Sequence, residues 1–98
     1  MKKLETTIKK GIFEYRQVNR NDVYAIYAQF YLGNLIGHEV FKINKYAERE
    51  IAGVIIPAHE AMPGDNQFGV TAWSTGKDYN RALDKYNGLC LKLTPTSN

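Results

Sequence analysis

One cysteine, Cys90, stands among 98 residues. A lone thiol excludes an intramolecular disulfide framework and points to a reducing, cytoplasmic compartment. No neighbouring His or CxxC partner lowers its pKa, so Cys90 reads as a small buried hydrophobe. Histidine is nearly as scarce: His38 and His59, each followed by Glu. Two histidines and one cysteine without ligand spacing do not make a zinc site. Nothing supplies a nucleophile or oxyanion hole beside either His-Glu pair, which argues against a small hydrolase using His38 or His59. No apolar run approaches the ~18 residues of a membrane span. The N-terminus M-K-K-L-E-T-T-I-K-K-G is basic but lacks the apolar h-region of a secretory leader. The stretch G-V-T-A-W-S-T-G-K-D (69–78) fails as a phosphate loop, because six residues rather than four separate Gly69 from Gly76 and Asp78 stands where Ser or Thr would hold magnesium. There is no internal repeat and no low-complexity segment. The expectation is a non-enzymatic protein with no cofactor, no metal and no membrane partner.

What is present is a globular composition. Hydrophobic content of 44% and aromatic content of 12% exclude general disorder. Ninety-eight residues make one domain, 1–98, with 1–8 and 94–98 expected to fray. Seven tyrosines suit half-exposed sheet positions and binding surfaces, since the ring is apolar and its tip is wet. The net charge of +3 is unevenly placed. Residues 1–20 carry six bases against two acids, whereas 47–72 carry four acids against Arg49 alone. A basic N-terminal part attracts a polyanion or an acidic partner; ordinary solvated charge is the bland alternative.

The strongest local signal is Gly33-Asn34, between V-Y-A-I-Y-A-Q-F-Y (23–31) and L-I-G-H-E-V-F-K-I-N-K-Y (35–46). Gly supplies the positive φ that opens a type II′ hairpin turn. A loop of Gly33 and Asn34 sets Ile26 opposite Phe41 and Tyr24 opposite Ile43. Residues 11–18 read as a preceding strand, joined through the turn formers Asn19 to Asp22, with Val18 opposite Val23 and Tyr15 opposite Ile26. The pleat then collects Phe13, Tyr15, Tyr24, Ile26, Ala28, Phe30, Phe41 and Ile43 on a core face. The other face takes Ile12, Glu14, Arg16, Val18, Ala25, Tyr27, Gln29, Tyr31, Ile36, His38, Val40 and Lys42. Further on, Ala47 to Glu50 reads as a helical turn, Ile51 to Ile56 as a short edge strand ended by Pro57, 62–66 as a turn, and Phe68 to Trp73 as another short strand. Tyr79, Ala82, Leu83 and Tyr86 then fall on one face of a helix, with Ser74 or Thr75 as N-cap and Gly88 as the C′ residue. The fold class is α+β: an antiparallel β-meander of three to five strands with one C-terminal amphipathic helix on one face.

Three antiparallel strands followed by a helix resemble, in element order, the small DNA-binding domains of phage and transposon integrases. The resemblance covers F-E-Y-R-Q-V, the two hairpin strands and K-D-Y-N-R-A-L-D-K-Y. It implies a sheet that enters the major groove with the helix packed behind it. The segment 47–72 departs from that order, and its acidity repels DNA. The chain is also similar to small uncharacterised proteins of bacteria, phages and mobile elements, which inhibit or adapt a larger partner. Arg16, Tyr27, Tyr31, His38 and Lys42 on the open face resemble a base-stacking platform, and Lys9 and Lys10 extend it as a basic arm. The partner is therefore expected to be nucleic acid or a larger protein. The alternative is a second face covered by residues 47–72.

Overall fold

A computed structural model describes residues 1–64 and 69–93. The elements are β1 (Thr7–Lys10), β2 (Phe13–Arg20), β3 (Tyr24–Tyr31), β4 (Asn34–Lys42), β5 (Asn44–Tyr46), β6 (Arg49–Ile51), β7 (Val54–Ile56), β8 (His59–Ala61), β9 (Ala72–Ser74) and α1 (Tyr79–Leu93). Five strands form an antiparallel sheet in the order β1-β2-β3-β4-β9, and α1 packs against β3 and β4. The fold is α+β, as the sequence implies.

The hairpin around Gly33 exists, one residue earlier than its signal suggests. Tyr31 pairs with Asn34, so Leu32 and Gly33 form the loop, with φ of 49° and 81°. Positive φ at both loop residues is the type I′ signature, not type II′. A bulge between Gln29 and Phe30 then shifts the register again, and a second lies between Gln17 and Asn19 on β2. The consequence is large, because a one-residue slip moves side chains to the other face. Ile26 lies opposite Val40, Ala25 opposite Phe41, and Tyr15 opposite Gln29. The expected core face is therefore two half-faces, and both sides of the sheet are cores. On one, Ile26 and Val40 pack under Ala82, Tyr86 and Leu89 of α1. On the other, Tyr15, Ala25, Tyr27, Phe41 and Ile43 pack with Leu4, Ile8 and Met62. The second face is thus covered, by the N-terminal segment as well as by a residue of 47–72.

The N-terminal residues are docked. Lys2 exchanges backbone hydrogen bonds with Ala58 and Glu60 (3.0 and 2.8 Å), and Thr7–Lys10 is the edge strand of the sheet. The expected fraying of 94–98 lies outside the described residues, as does part of the expected 62–66 turn and Phe68 of the expected strand at 68–73; the observed strand is Ala72–Ser74.

Residues 44–61 form a long ribbon. β5 pairs with β8 at its base, and β6 with β7 at its tip around Ala52 and Gly53, again with φ positive at both (52° and 80°). The edge strand expected over 51–56 is therefore a hairpin, and Glu50, expected in a helical turn, lies in β6. This projecting ribbon explains a radius of gyration of 14.8 Å, above the roughly 13 Å of a compact 100-residue domain.

Helix α1 begins at Asp78, whose carboxylate accepts the Asn80 N–H at 2.9 Å. Asp78 is thus the N-cap, not Ser74 or Thr75. The helix runs through Gly88, which is not left-handed. Leu89 and Cys90 continue the apolar stripe into the core, and that burial outweighs the ~1 kcal/mol helix penalty of glycine.

Candidate functional site

The β1–β2 and β3–β4 turns lie at the same end of the sheet, and cross-strand pairing stacks their flanking residues in two rows. Lys10, Phe13, Tyr31 and Asn34 form one row; Lys9, Glu14, Phe30 and Leu35 form the next, facing the opposite side. The Phe13 and Tyr31 rings meet at 6.0 Å and 52°. The Arg16 guanidinium lies over the Phe30 ring, 4.4 Å from its centroid, and pairs with the Glu14 carboxylate. A hollow of about 230 Å³ at this end is lined by Lys9, Ile12, Phe13, Glu14, Arg16, Phe30 and Leu32. Its apolar rim is unusually bare: Ile12 is 67% and Leu32 78% exposed. Leucine in the left-handed region is uncommon and strained, and Leu32 recovers little of that cost through burial in its own fold.

Lys9 also lines a second, larger groove of about 490 Å³ between the N-terminal segment and the ribbon. Lys2, Lys3 and His59 contribute to it, with Leu4, Ile8, Ile56 and Pro57 as an apolar floor. The Tyr46 and His59 rings stack at 5.3 Å on the ribbon. Glu60 at the groove is neutralised from behind. Arg20 grips its carboxylate with two nitrogens, at 2.6 and 2.9 Å, and the Leu4 N–H donates at 2.9 Å. These donors hold the Glu60 pKa at about 2, and the same pair raises that of Arg20. Lys3 pairs with Asp22 at 3.5 Å.

Of the residues expected to make contacts, the structure brings Lys9, Lys10, Arg16 and Tyr31 to the sheet end. Tyr27 is fully buried. It stacks on Phe41 at 5.4 Å, donates its hydroxyl to the Glu5 carbonyl at 2.7 Å and accepts from Gln17 at 2.9 Å; burial raises its pKa. His38 is buried beneath the start of α1. Its Nδ1 lies 2.9 Å from the Gly76 carbonyl oxygen and its ring 5.7 Å from that of Tyr79. Both are interior supports with no surface for a base. Lys42 is exposed at the other end of β4, beside Asp22 and Lys45. The continuous aromatic platform is therefore absent, and a smaller basic and aromatic end takes its place. Phe13, Phe30 and Leu32 belong to this end. The run Y-L-G-N carries their signal, once Leu-Gly rather than Gly-Asn is read as the loop.

Among the described residues no three His, Cys, Asp or Glu side chains gather as metal ligands, and no helix is long and apolar enough to cross a membrane. His59 Nδ1 is engaged by the Pro57 carbonyl at 3.0 Å and Glu60 by Arg20, so the pair does not converge on a common point. Neither the sequence nor the fold matches a known protein family, a curated protein or a solved structure.

Proposed function

We propose that this chain is a non-enzymatic binding protein that takes single-stranded nucleic acid at the turn end of its sheet. One observation carries the reading: at one end of the sheet Lys10 shares a face with the rings of Phe13 and Tyr31, and Lys9 and Arg16 share the other face with Phe30. Cations neutralise phosphates, and ring faces accept unstacked bases irrespective of sequence. The groove bearing Lys2 and Lys3 shares Lys9 with this end, so a strand leaving the rings has a basic path along β1. A single strand fits better than duplex, because bases in a duplex are already stacked on each other. A reducing, cytoplasmic location suits the unpaired thiol of Cys90.

Fluorescence anisotropy with labelled single- and double-stranded DNA and RNA tests this. Four phosphate contacts, from Lys2, Lys9, Lys10 and Arg16, give a salt slope of about −3, or about a fifty-fold loss of affinity between roughly 50 and 200 mM salt. Lys9→Gln with Lys10→Gln weakens binding to every sequence alike and flattens that slope by about 1.4. Tyr31→Ala costs about 1–3 kcal/mol on single strands and less on duplex. No binding at the lowest salt removes the nucleic-acid reading. It leaves a protein-binding inhibitor or adaptor, which the bare Ile12 and Leu32 tips favour.

A further inference from the structure

The ribbon tip carries a strand edge without charge, and its register indicates what fits it. β6 and β7 pair only with each other among the described residues, and an isolated two-stranded ribbon is marginal in water. Hydrogen-bonded and non-bonded pairs alternate along such a ribbon. Ile51 and Val54 flank the two-residue loop and are the bonded kind, so Glu50 and Ile55 are the next, non-bonded pair. Their backbone N–H and C=O groups therefore point outward, those of Glu50 from the free edge of β6 and those of Ile55 from the free edge of β7. The β1 edge of the main sheet carries Lys9 and Lys10, charges that discourage edge-to-edge pairing. β7 is Val54-Ile55-Ile56, with Val54 62% and Ile55 63% exposed.

We infer that the β7 edge pairs with β7 of a second copy of this chain, antiparallel about a two-fold axis at Ile55. A two-fold perpendicular to the ribbon keeps each residue on its own face, so only residues of equal parity oppose one another. Ile55 then faces Ile55 of the second copy and exchanges two N–H···O=C bonds with it, and Val54 faces Ile56 on either side. Every opposed pair is aliphatic. The same operation on β6 sets Glu50 against Glu50, and like charges directly opposite are destabilising. That difference selects β7. Pro57 follows β7 directly and has no N–H to extend the ladder. The product is a closed four-stranded ribbon, β6-β7-β7-β6, which stands independently of what the sheet end binds. The interface is short, so the association is weak and is looked for from about 10 μM to 1 mM protein.

Sedimentation equilibrium of the full chain across that range reads it directly. The expected mass rises from 11.2 kDa towards twice that value. Ile55→Lys and Ile55→Glu each oppose like charges and stay monomeric, with the parent's circular dichroism because position 55 is exposed. Mixed in equal amounts, the two variants dimerise, since Lys then faces Glu across the axis. A parent that is monomeric throughout, single variants that still dimerise, or a mixture that stays monomeric overturns the inference. Species growing beyond the dimer overturn the two-fold closure.

Discussion

Replacing Glu60 by Gln tests what ties the ribbon and the N-terminal segment to the sheet. The Glu60 side chain is 1% exposed and that of Arg20 16%. The carboxylate accepts three hydrogen bonds, two from Arg20 and one from the Leu4 N–H. Gln keeps the shape but turns one oxygen into an NH2 that faces an Arg20 nitrogen, donor against donor, and leaves the guanidinium without its counter-charge. Breaking a buried pair at one partner costs ~3–5 kcal/mol. Arg20 retains some water and a bond to the Asn21 carbonyl at 3.0 Å, which places the cost near the lower end, about 3 kcal/mol. For a chain of this size that lowers Tm by more than about 10 °C. The pH dependence gives an independent check. The folded pKa of Glu60 is about 2, below the usual carboxylate value of 4.5. Its contribution is therefore fully present above pH 4.5 and is lost as pH falls towards 2. Urea melts of parent and variant should differ most at neutral pH and converge on acidification. A difference under about 0.5 kcal/mol at pH 7, the size expected of an ordinary surface change, refutes the reasoning. A difference that stays constant into acid refutes the electrostatic cause.

Ile26 is fully buried between sheet and helix, so Ile26→Asp leaves an unpaired charge in the core and should abolish the folded circular dichroism signal at 25 °C. Tyr27→Phe removes the hydroxyl bonded to Glu5 and Gln17 and should cost about 1–3 kcal/mol in urea melts, whereas a Tyr27 exposed for stacking would tolerate the change. Leu32→Asn relieves a left-handed leucine that is 78% exposed and should raise stability by about 0.5–1 kcal/mol, read as a higher Tm.

The sequence made the elements more legible than their faces. Tyr79, Ala82, Leu83 and Tyr86 identify the helix and its buried side, because a 3.6-residue stripe tolerates an error of one residue at either end. Strands do not. The Leu32-Gly33 loop moved the pairing by two residues, which keeps the faces, and the bulge opposite Gln29-Phe30 moved it back by one, which alone sent Phe41 to the face opposite Ile26. The extra residues are Ile36 on β4 and Val18 on β2: Gly37, beside the first, is a marker that the strand reading passed over, whereas no glycine or proline stands at the second. Tyr27 and His38 looked like surface residues for the same reason, since alternation alone cannot tell a solvated face from one covered by a distant segment. The cover over Tyr27 comes from Leu4 and Met62, held in part by the Arg20–Glu60 pair across 40 residues of chain, and that over His38 from the start of α1. At the candidate site, the basic residues Lys9, Lys10 and Arg16 were legible from local charge, and Tyr31 from its place at the strand end. Phe13 and Phe30 were hidden, because a core assignment absorbed them.

The most direct test of the central claim, that the turn end of the sheet is the binding surface, is an amide chemical-shift titration of isotope-labelled protein with a short single-stranded oligonucleotide at low salt. Binding there predicts shifts concentrated at Lys9, Lys10, Ile12, Arg16, Tyr31 and Leu32, trailing along the N-terminal segment to Lys2. Buried Tyr27 and His38 should move little, as should Lys42 at the far end of β4. Shifts centred on Lys42 and Lys45, or no shifts at saturating oligonucleotide, would contradict the account.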